Sequence, residues 1–273
     1  MDFNKMYEEK LITAEKAAGM VKDGDWVDIG WCALTPKAFD QALAKRVDEL
    51  HDVKLKGGVV PYELEIGKAD TTGEHFIYHS WHSSGTERNM INKNQYGAFF
   101  IPIKYSELPR YVRENAGRIN LAVIQVAPMD KHGNFNFGLS ASHTMATFEM
   151  ADKIILEVNE NVPVALGGYE NYINIKDVDY IYEANYDMLT LGKAKFGEEE
   201  LKVAEHVVGL LRDGDCLQIG IGGLPNAIGS EIAKSDLKDL GVHTEMYVDS
   251  FVDMAKAGKI TGRMKNHDRG RQT

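Results

Sequence analysis

Residues 14–30 and 204–220 are two versions of one stretch, AEKAAGMVKDGDWVDIG and AEHVVGLLRDGDCLQIG. Aligned without a gap, they share Ala14 with Ala204, Glu15 with Glu205, Gly19 with Gly209 and Asp23-Gly24-Asp25 with Asp213-Gly214-Asp215, then Ile29-Gly30 with Ile219-Gly220. With one residue of slip the match continues through Pro36 and Pro225, Ala38 and Ala227, and Lys45 and Lys234. A period of about 190 residues is too long for a solenoid and points to a duplicated domain. No other feature limits the fold so far, because one local design must serve twice.

Each copy has the same grammar. In the second, Leu201, Ala204, Val207, Val208 and Leu211 recur at helical spacing. Asp213-Gly214-Asp215 stops that helix, with Gly214 suited to a left-handed cap. Cys216–Gly220 then reads as a strand, Gly220–Leu224 as a loop, and Pro225 as the opening of a helix to about Lys234. The first copy predicts a helix from Ala14, a strand over Trp26–Gly30, and a helix to about Val47 with Thr35 as N-cap and Pro36 as its first residue.

Between the copies, Val53–Val60, Phe76–His79, Ala98–Ile103, Leu121–Val126, Ile154–Val158 and Tyr180–Tyr182 read as strands, and Ser106–Asn115 and His143–Ala151 as helices. Alternating strands and helices predict an α/β protein with mainly parallel, covered sheets. The expected domains are residues 1–196 and 197–273. The second copy has only about 75 residues against about 190 for the first, so it is expected to be incomplete and the chain a fragment of a longer one.

A formal net charge of -10 opposes a broad nucleic-acid surface, which needs clustered Lys and Arg. It does not oppose an anionic small ligand held by a few local donors. No apolar run approaches the ~20 residues of a membrane helix, and the charged N-terminus is unlike a signal peptide. A cytoplasmic protein with no membrane partner is expected. Cys32 and Cys216 stand alone, without a disulfide or zinc pattern. There is no His-Glu-x-x-His and no Gly-x-Ser-x-Gly, so no metal is expected and a serine thioesterase is disfavoured.

The strongest local feature is Gly220-Ile221-Gly222-Gly223-Leu224-Pro225. A glycine loop between a strand and a helix turns backbone N–H groups toward the crevice at the strand's C-terminal end. Pro225 replaces the last glycine of a dinucleotide fingerprint, and no Gly-Lys-Ser/Thr of a P-loop follows. Tight packing alone could also require glycines. The first copy, however, reads Gly30-Trp-Cys-Ala-Leu34 at this place, so the topology tolerates side chains there and a ligand in the second copy is the better account.

Glu245 closes the next predicted strand, within Gly241–Val248, beside the same loop. A carboxylate there can attack an acyl carbonyl while loop amides stabilise the oxyanion. An isolated Glu at a strand end is more often a solvated surface group, and Asp249 and Asp253 are rival acids. His79, His82, His132 and His143 are pocket candidates without an assigned role.

Together the segments resemble the acetyl-CoA hydrolase/transferase family, and within it the butyryl-CoA:acetate CoA-transferases. The resemblance rests on Gly24–Cys32, Asn89-Met-Ile, Tyr105–Tyr111, Gln125–Gly133, Glu157-Val-Asn-Glu-Asn161, Leu217–Ala227, Leu240–Asp249 and Asp268–Thr273. It implies duplicated CoA-transferase-like domains and transfer of CoA from butyryl-CoA, or a similar short-chain acyl-CoA, to acetate. The Glu of His243-Thr-Glu-Met246 would attack the thioester and pass through a glutamyl-CoA thioester. That makes Glu245 the catalytic residue and Gly220, Ile221, Gly222, Gly223 and Leu224 the CoA-contacting loop. The implied partners are an acyl-CoA and a short-chain carboxylate in a homo-oligomer, with CoA a substrate and no tightly bound cofactor. Family members continue into a further glycine-rich segment, so part of the site is expected outside these residues. Alternatives of the same lineage are 4-hydroxybutyrate CoA-transfer and acyl-CoA hydrolysis. A non-enzymatic alternative is a ligand sensor on a sugar-isomerase-like fold.

Overall fold

The computed structural model describes residues 2–92, 97–115, 117–192 and 194–272. Thr273, which closes the last stretch quoted above, lies outside them. The chain divides into two compact units, one of Met1–Ala165 with Tyr169–Leu189, the other of Thr190–Thr273 with Leu166–Gly168.

The first unit contains helices α1 (Phe3–Lys10), α2 (Ala14–Ala18), α3 (Lys37–Ala44), α4 (Glu65–Ala69), α5 (Gly85–Asn92), α6 (Leu108–Glu114) and α7 (Thr144–Met150). Its strands are β1 (Trp26–Trp31), β2 (Val53–Gly58), β3 (Phe76–Ser80), β4 (Ala98–Phe100), β5 (Leu121–Val126), β6 (Asn134–Asn136), β7 (Ile154–Asn159), β8 (Tyr172–Asn174) and β9 (Tyr180–Ala184). Among the described residues, seven of these form one sheet in the order β4-β3-β2-β1-β5-β7-β9, and every pairing is parallel. Leu121–Val126 shows why the strands read as apolar runs: Leu121 and Val123 join one core, while Ala122, Ile124 and Val126 join the other. Both faces are covered, so both must be apolar. The short antiparallel pair β6–β8 was not predicted, since three residues carry no period.

β1 sits where the strand order reverses, and there the loops after β1 and β5 diverge into a crevice. In this unit its own side chains fill that crevice. Gln125 Nε2 donates to the carbonyl of Ala33 at 2.6 Å, and Asn159 Nδ2 donates to Gln125 Oε1 at 2.9 Å.

The second unit contains α8 (Glu198–Val208), α9 (Gly223–Lys234), α10 (Asp249–Lys256) and the parallel strands β10 (Cys216–Leu217) and β11 (Gly241–Val242). Leu217, Ile219, Ile232, Leu240, Val242, Phe251 and Met254 form its core. Both strands are shorter than predicted, because the chains part soon after Leu217 and Val242.

The Asp-Gly-Asp turns are built alike in the two units. Gly24 and Gly214 have φ of 75° and 84°, the left-handed region that favours glycine. Asp25 and Asp215 each accept a backbone N–H three residues back, from Lys22 at 2.9 Å and Arg212 at 2.8 Å. Asp23 and Asp213 each accept from the segment before the neighbouring strand, His51 and Lys238, both at 2.8 Å. The acid-glycine-acid order is therefore demanded by bonds at all three positions. No helix of the described residues is long and apolar enough to cross a membrane.

Candidate active site

The site is built from two neighbouring strand ends. β10 and β11 pair in parallel, Cys216 with Gly241 and Leu217 with Val242. The N–H of His243 extends the ladder to the carbonyl of Leu217 at 3.1 Å. Beyond that bond the two chains part, one leading to the Gly220–Leu224 loop and the other to Glu245. Glu245 is exposed, and among the described residues its carboxylate has neither a hydrogen bond nor an ion pair. Thr244 Oγ1 donates to the carbonyl of Met246 at 3.0 Å, folding the chain into a turn around it.

The three loop glycines are bare for different reasons. Gly222 has φ of 125°, which a side chain resists. A Cβ on Gly223 would lie 2.8 Å from the carbonyl oxygen of Lys195, so packing excludes one. Gly220 has neither restriction, and a Cβ there would meet nothing within 4 Å.

Among the described residues, none of the amides from Gly220 to Leu224 has an acceptor, and α9 has no side-chain cap. In the first unit the start of α3 is satisfied internally. The N–H groups of Ala38 and Phe39 at the start of α3 donate to Glu157 Oε2 at 2.9 and 3.2 Å, and Lys37 N–H reaches Tyr186 Oη at 3.2 Å. Thr35 does not cap α3 as predicted; its hydroxyl donates to the carbonyl of Cys32 at 2.9 Å and the helix starts at Lys37. Glu157 is fully buried and also accepts from Tyr182 Oη at 2.7 Å and from Tyr186. Burial pushes its carboxyl up, against the pull of these donors. A side-chain carboxyl group of the protein thus already occupies the start of α3, whereas the start of α9 leaves its amides without an acceptor among the described residues.

The rival acids have other settings. Asp249 begins α10, where negative charge suits the helix dipole, and Asp253 lies further along the same helix. Of the histidines, His79 is held between Trp26 and Phe99, with burial and then Lys56 and Lys54 pushing its pKa down. His82 packs edge-on to Trp31, and the backbone N–H of His132 donates to Asp130 Oδ1 at 2.8 Å. His143 is buried, its Nδ1 3.1 Å from Ser142 Oγ, and burial pushes its pKa down against the pull of Asp28. These histidines belong to the first unit. Among the described residues no group of three or more His, Cys, Asp or Glu could hold a metal ion. The sequence had marked Glu157 only as part of a familiar stretch, because its partners lie about 120 residues away in β1's following helix.

The covered, all-parallel seven-stranded sheet defines an α/β protein of CoA-transferase-like fold. RipA from Yersinia pestis has this fold, with a TM-score of 0.89 and 28% identity over all of this chain and 64% of its own. A 4-hydroxybutyrate CoA-transferase from Porphyromonas gingivalis matches with a TM-score of 0.76 and 26% identity, over 99% of this chain and 63% of that one. The chain belongs to the acetyl-CoA hydrolase/transferase family, whose N-terminal domain model matches residues 1–191. It is 53% identical, over its whole length, to a butyryl-CoA:acetate CoA-transferase of Anaerostipes caccae, and 48% identical over 97% to a probable butyrate:acetyl-CoA coenzyme A-transferase of Syntrophomonas wolfei. The chain spans 61% and 59% of these two relatives.

Proposed function

We propose that the full-length protein transfers CoA from butyryl-CoA, or a similar short-chain acyl-CoA, to acetate, with Glu245 as the nucleophile. The observation that supports this reading is the exposed, unpartnered Glu245 carboxylate on the segment leaving β11, next to the segment leaving β10 that carries the acceptor-free amides of Gly220–Leu224. The names of the relatives agree with the substrates.

Glu245 attacks the thioester carbonyl, the C–S bond breaks, and an acyl-glutamyl anhydride and CoA thiolate result. The thiolate attacks the glutamyl carbonyl and releases butyrate, leaving a glutamyl-CoA thioester. Acetate attacks that thioester and expels the thiolate, which then takes the acetyl group and frees the carboxylate. Charge balances at each step without a proton donor, because one carboxylate and one thioester are exchanged for another of each. Gly220, Ile221, Gly222, Gly223 and Leu224 supply the amides facing each developing oxyanion, where one such donor is worth roughly 10²–10³ in rate. CoA is a substrate here, and no resident cofactor takes part.

The same proposal treats residues 1–196 and 197–273 as two copies of one CoA-transferase-like design, the second continuing beyond this chain. The matching turns at Asp23–Asp25 and Asp213–Asp215 support the duplication. A cytoplasmic homo-oligomer belongs to the proposal as well.

The test is covalent trapping in the full-length protein. After exposure to butyryl-CoA, peptide mass spectrometry should find CoA on Glu245, and added acetate should discharge it as acetyl-CoA. An adduct on Asp249, or acyl-CoA loss equally fast without acetate, would overturn the reading.

A further inference from the structure

We infer that Lys265 is a positioning residue for Glu245, tying Val242, one foot of the Glu245 turn, to residues 262–272, the segment whose Gln272 holds the other foot. The inference rests on the reading of Glu245 as nucleophile.

Lys265 is only 6% exposed, unusual for a lysine. Its Nζ donates to the carbonyl of Val242 at 2.8 Å and to that of Arg271 at 3.0 Å. The aliphatic stem crosses β11 over Gly241, where a Cβ would lie 2.7 Å from Lys265 Cγ. Gly241 is therefore bare to let this side chain pass. The backbone of Lys265 is held as well, its N–H donating to Gly262 at 3.2 Å and its carbonyl accepting from Arg269 Nε at 2.9 Å.

Val242 is the last residue of the strand that leads to Glu245. It also forms a parallel bridge with Gln272. Two residues past Glu245, the Tyr247 hydroxyl bonds to the side-chain oxygen of that same Gln272. Residues 243–246 thus form an arch, with Val242 and Tyr247 as its feet and Glu245 near the top. A hydrocarbon side chain could fill the space of Lys265 without the cost of desolvating an ammonium. What the ammonium adds is directed bonds, those to the carbonyls of Val242 and Arg271, that fix where the arch springs from the sheet. Reaction at a carboxylate is sensitive to placement, and an error of about 1 Å costs on the order of 10²-fold in rate.

The test uses the full-length protein carrying Lys265→Met, Lys265→Arg or Gln272→Ala, and follows CoA adduct formation on Glu245 in a single turnover. The expected result for Lys265→Met is a rate roughly 10²-fold lower at full adduct amplitude, with KM for butyryl-CoA within about threefold of wild type. Lys265→Arg should recover part of that loss. A purely structural role would lower the amplitude, through the folded fraction, and leave the rate of the remainder unchanged; that result overturns the inference. If Lys265→Met does not fold, Gln272→Ala decides: a rate about tenfold lower at unchanged KM supports the arch, and an unchanged rate overturns it. A wild-type protein that forms no adduct on Glu245 removes the nucleophile reading itself. An adduct on Glu245 with undiminished rates in the variants removes only the role of Lys265.

Discussion

The backbone N–H of His243 donates to the carbonyl of Leu217 at 3.1 Å, and beyond that bond their two chains part. One goes on to the acceptor-free amides of Gly220–Leu224, the other to the unpartnered carboxylate of Glu245. Two segments that leave a parallel pair together deliver their first free residues to the same edge. The acceptor-free loop and the Glu245 segment thereby leave the same end of one strand pair.

Replacing Glu245 should abolish chemistry and spare binding. Glu245→Ala in the full-length protein is expected to lower turnover by several orders of magnitude while acyl-CoA affinity stays close to wild type. Steady-state rates and calorimetric binding check this, and near-normal turnover would shift attention to Asp249.

Gly220 and Gly223 should fail in different ways when each becomes alanine. Gly223→Ala drives a methyl toward the Lys195 carbonyl and should destabilise by roughly 1–3 kcal/mol. Gly220→Ala meets no protein atom, so its stability should stay within about 1 kcal/mol of wild type. Its KM for butyryl-CoA should nonetheless rise on the order of tenfold, since the methyl enters the space assigned to the thioester. Urea melts and steady-state kinetics separate the two, and a Gly220→Ala enzyme with unchanged kinetics would put the ligand elsewhere.

Glu157 should matter for stability and not for the chemical step. It receives the Ala38 and Phe39 amides and the hydroxyls of Tyr182 and Tyr186. Glu157→Gln turns an amide donor toward some of these donors, and should cost about 2–4 kcal/mol. The measurement is the urea midpoint at constant m-value.

Asp40 should make the first unit less stable as pH rises. Burial pushes its carboxyl up to about 7, against the N–H groups of Glu65 and Ile66 that it accepts. Between the unfolded value of 3.8 and about 7, the folded chain holds a proton that the unfolded chain has released. Its contribution is therefore full below that window and is lost as pH climbs through it. Relative to wild type, Asp40→Asn should show a flatter decline in unfolding free energy from pH 5 to pH 8. Parallel curves would show that Asp40 does not titrate in this range.

Several elements could be read from local order alone. The repeat at residues 14–30 and 204–220 follows from an Asp-Gly-Asp turn whose every residue is bound to its own neighbourhood. The covered parallel sheet follows from runs such as Leu121–Val126, where consecutive side chains face opposite cores. Gly220–Gly223 and Glu245 stood out because glycines after a strand, and an acid closing the next one, are local patterns.

Other features needed partners far along the chain. The sequence order of β1 says nothing of its place in the middle of the sheet, which pairing with both β2 and β5 settles. Thr35 matched a cap by type, yet the carboxyl that satisfies α3 comes from Glu157 on β7. By its neighbours Lys265 is one more charge in a polar segment, and it is the fold that lays its stem across Gly241. Turns and periods are written in neighbouring residues and survive in any fold, so sequence alone determined them. Which donor meets which acceptor depends on how distant strands are brought side by side, and only the tertiary structure decides that.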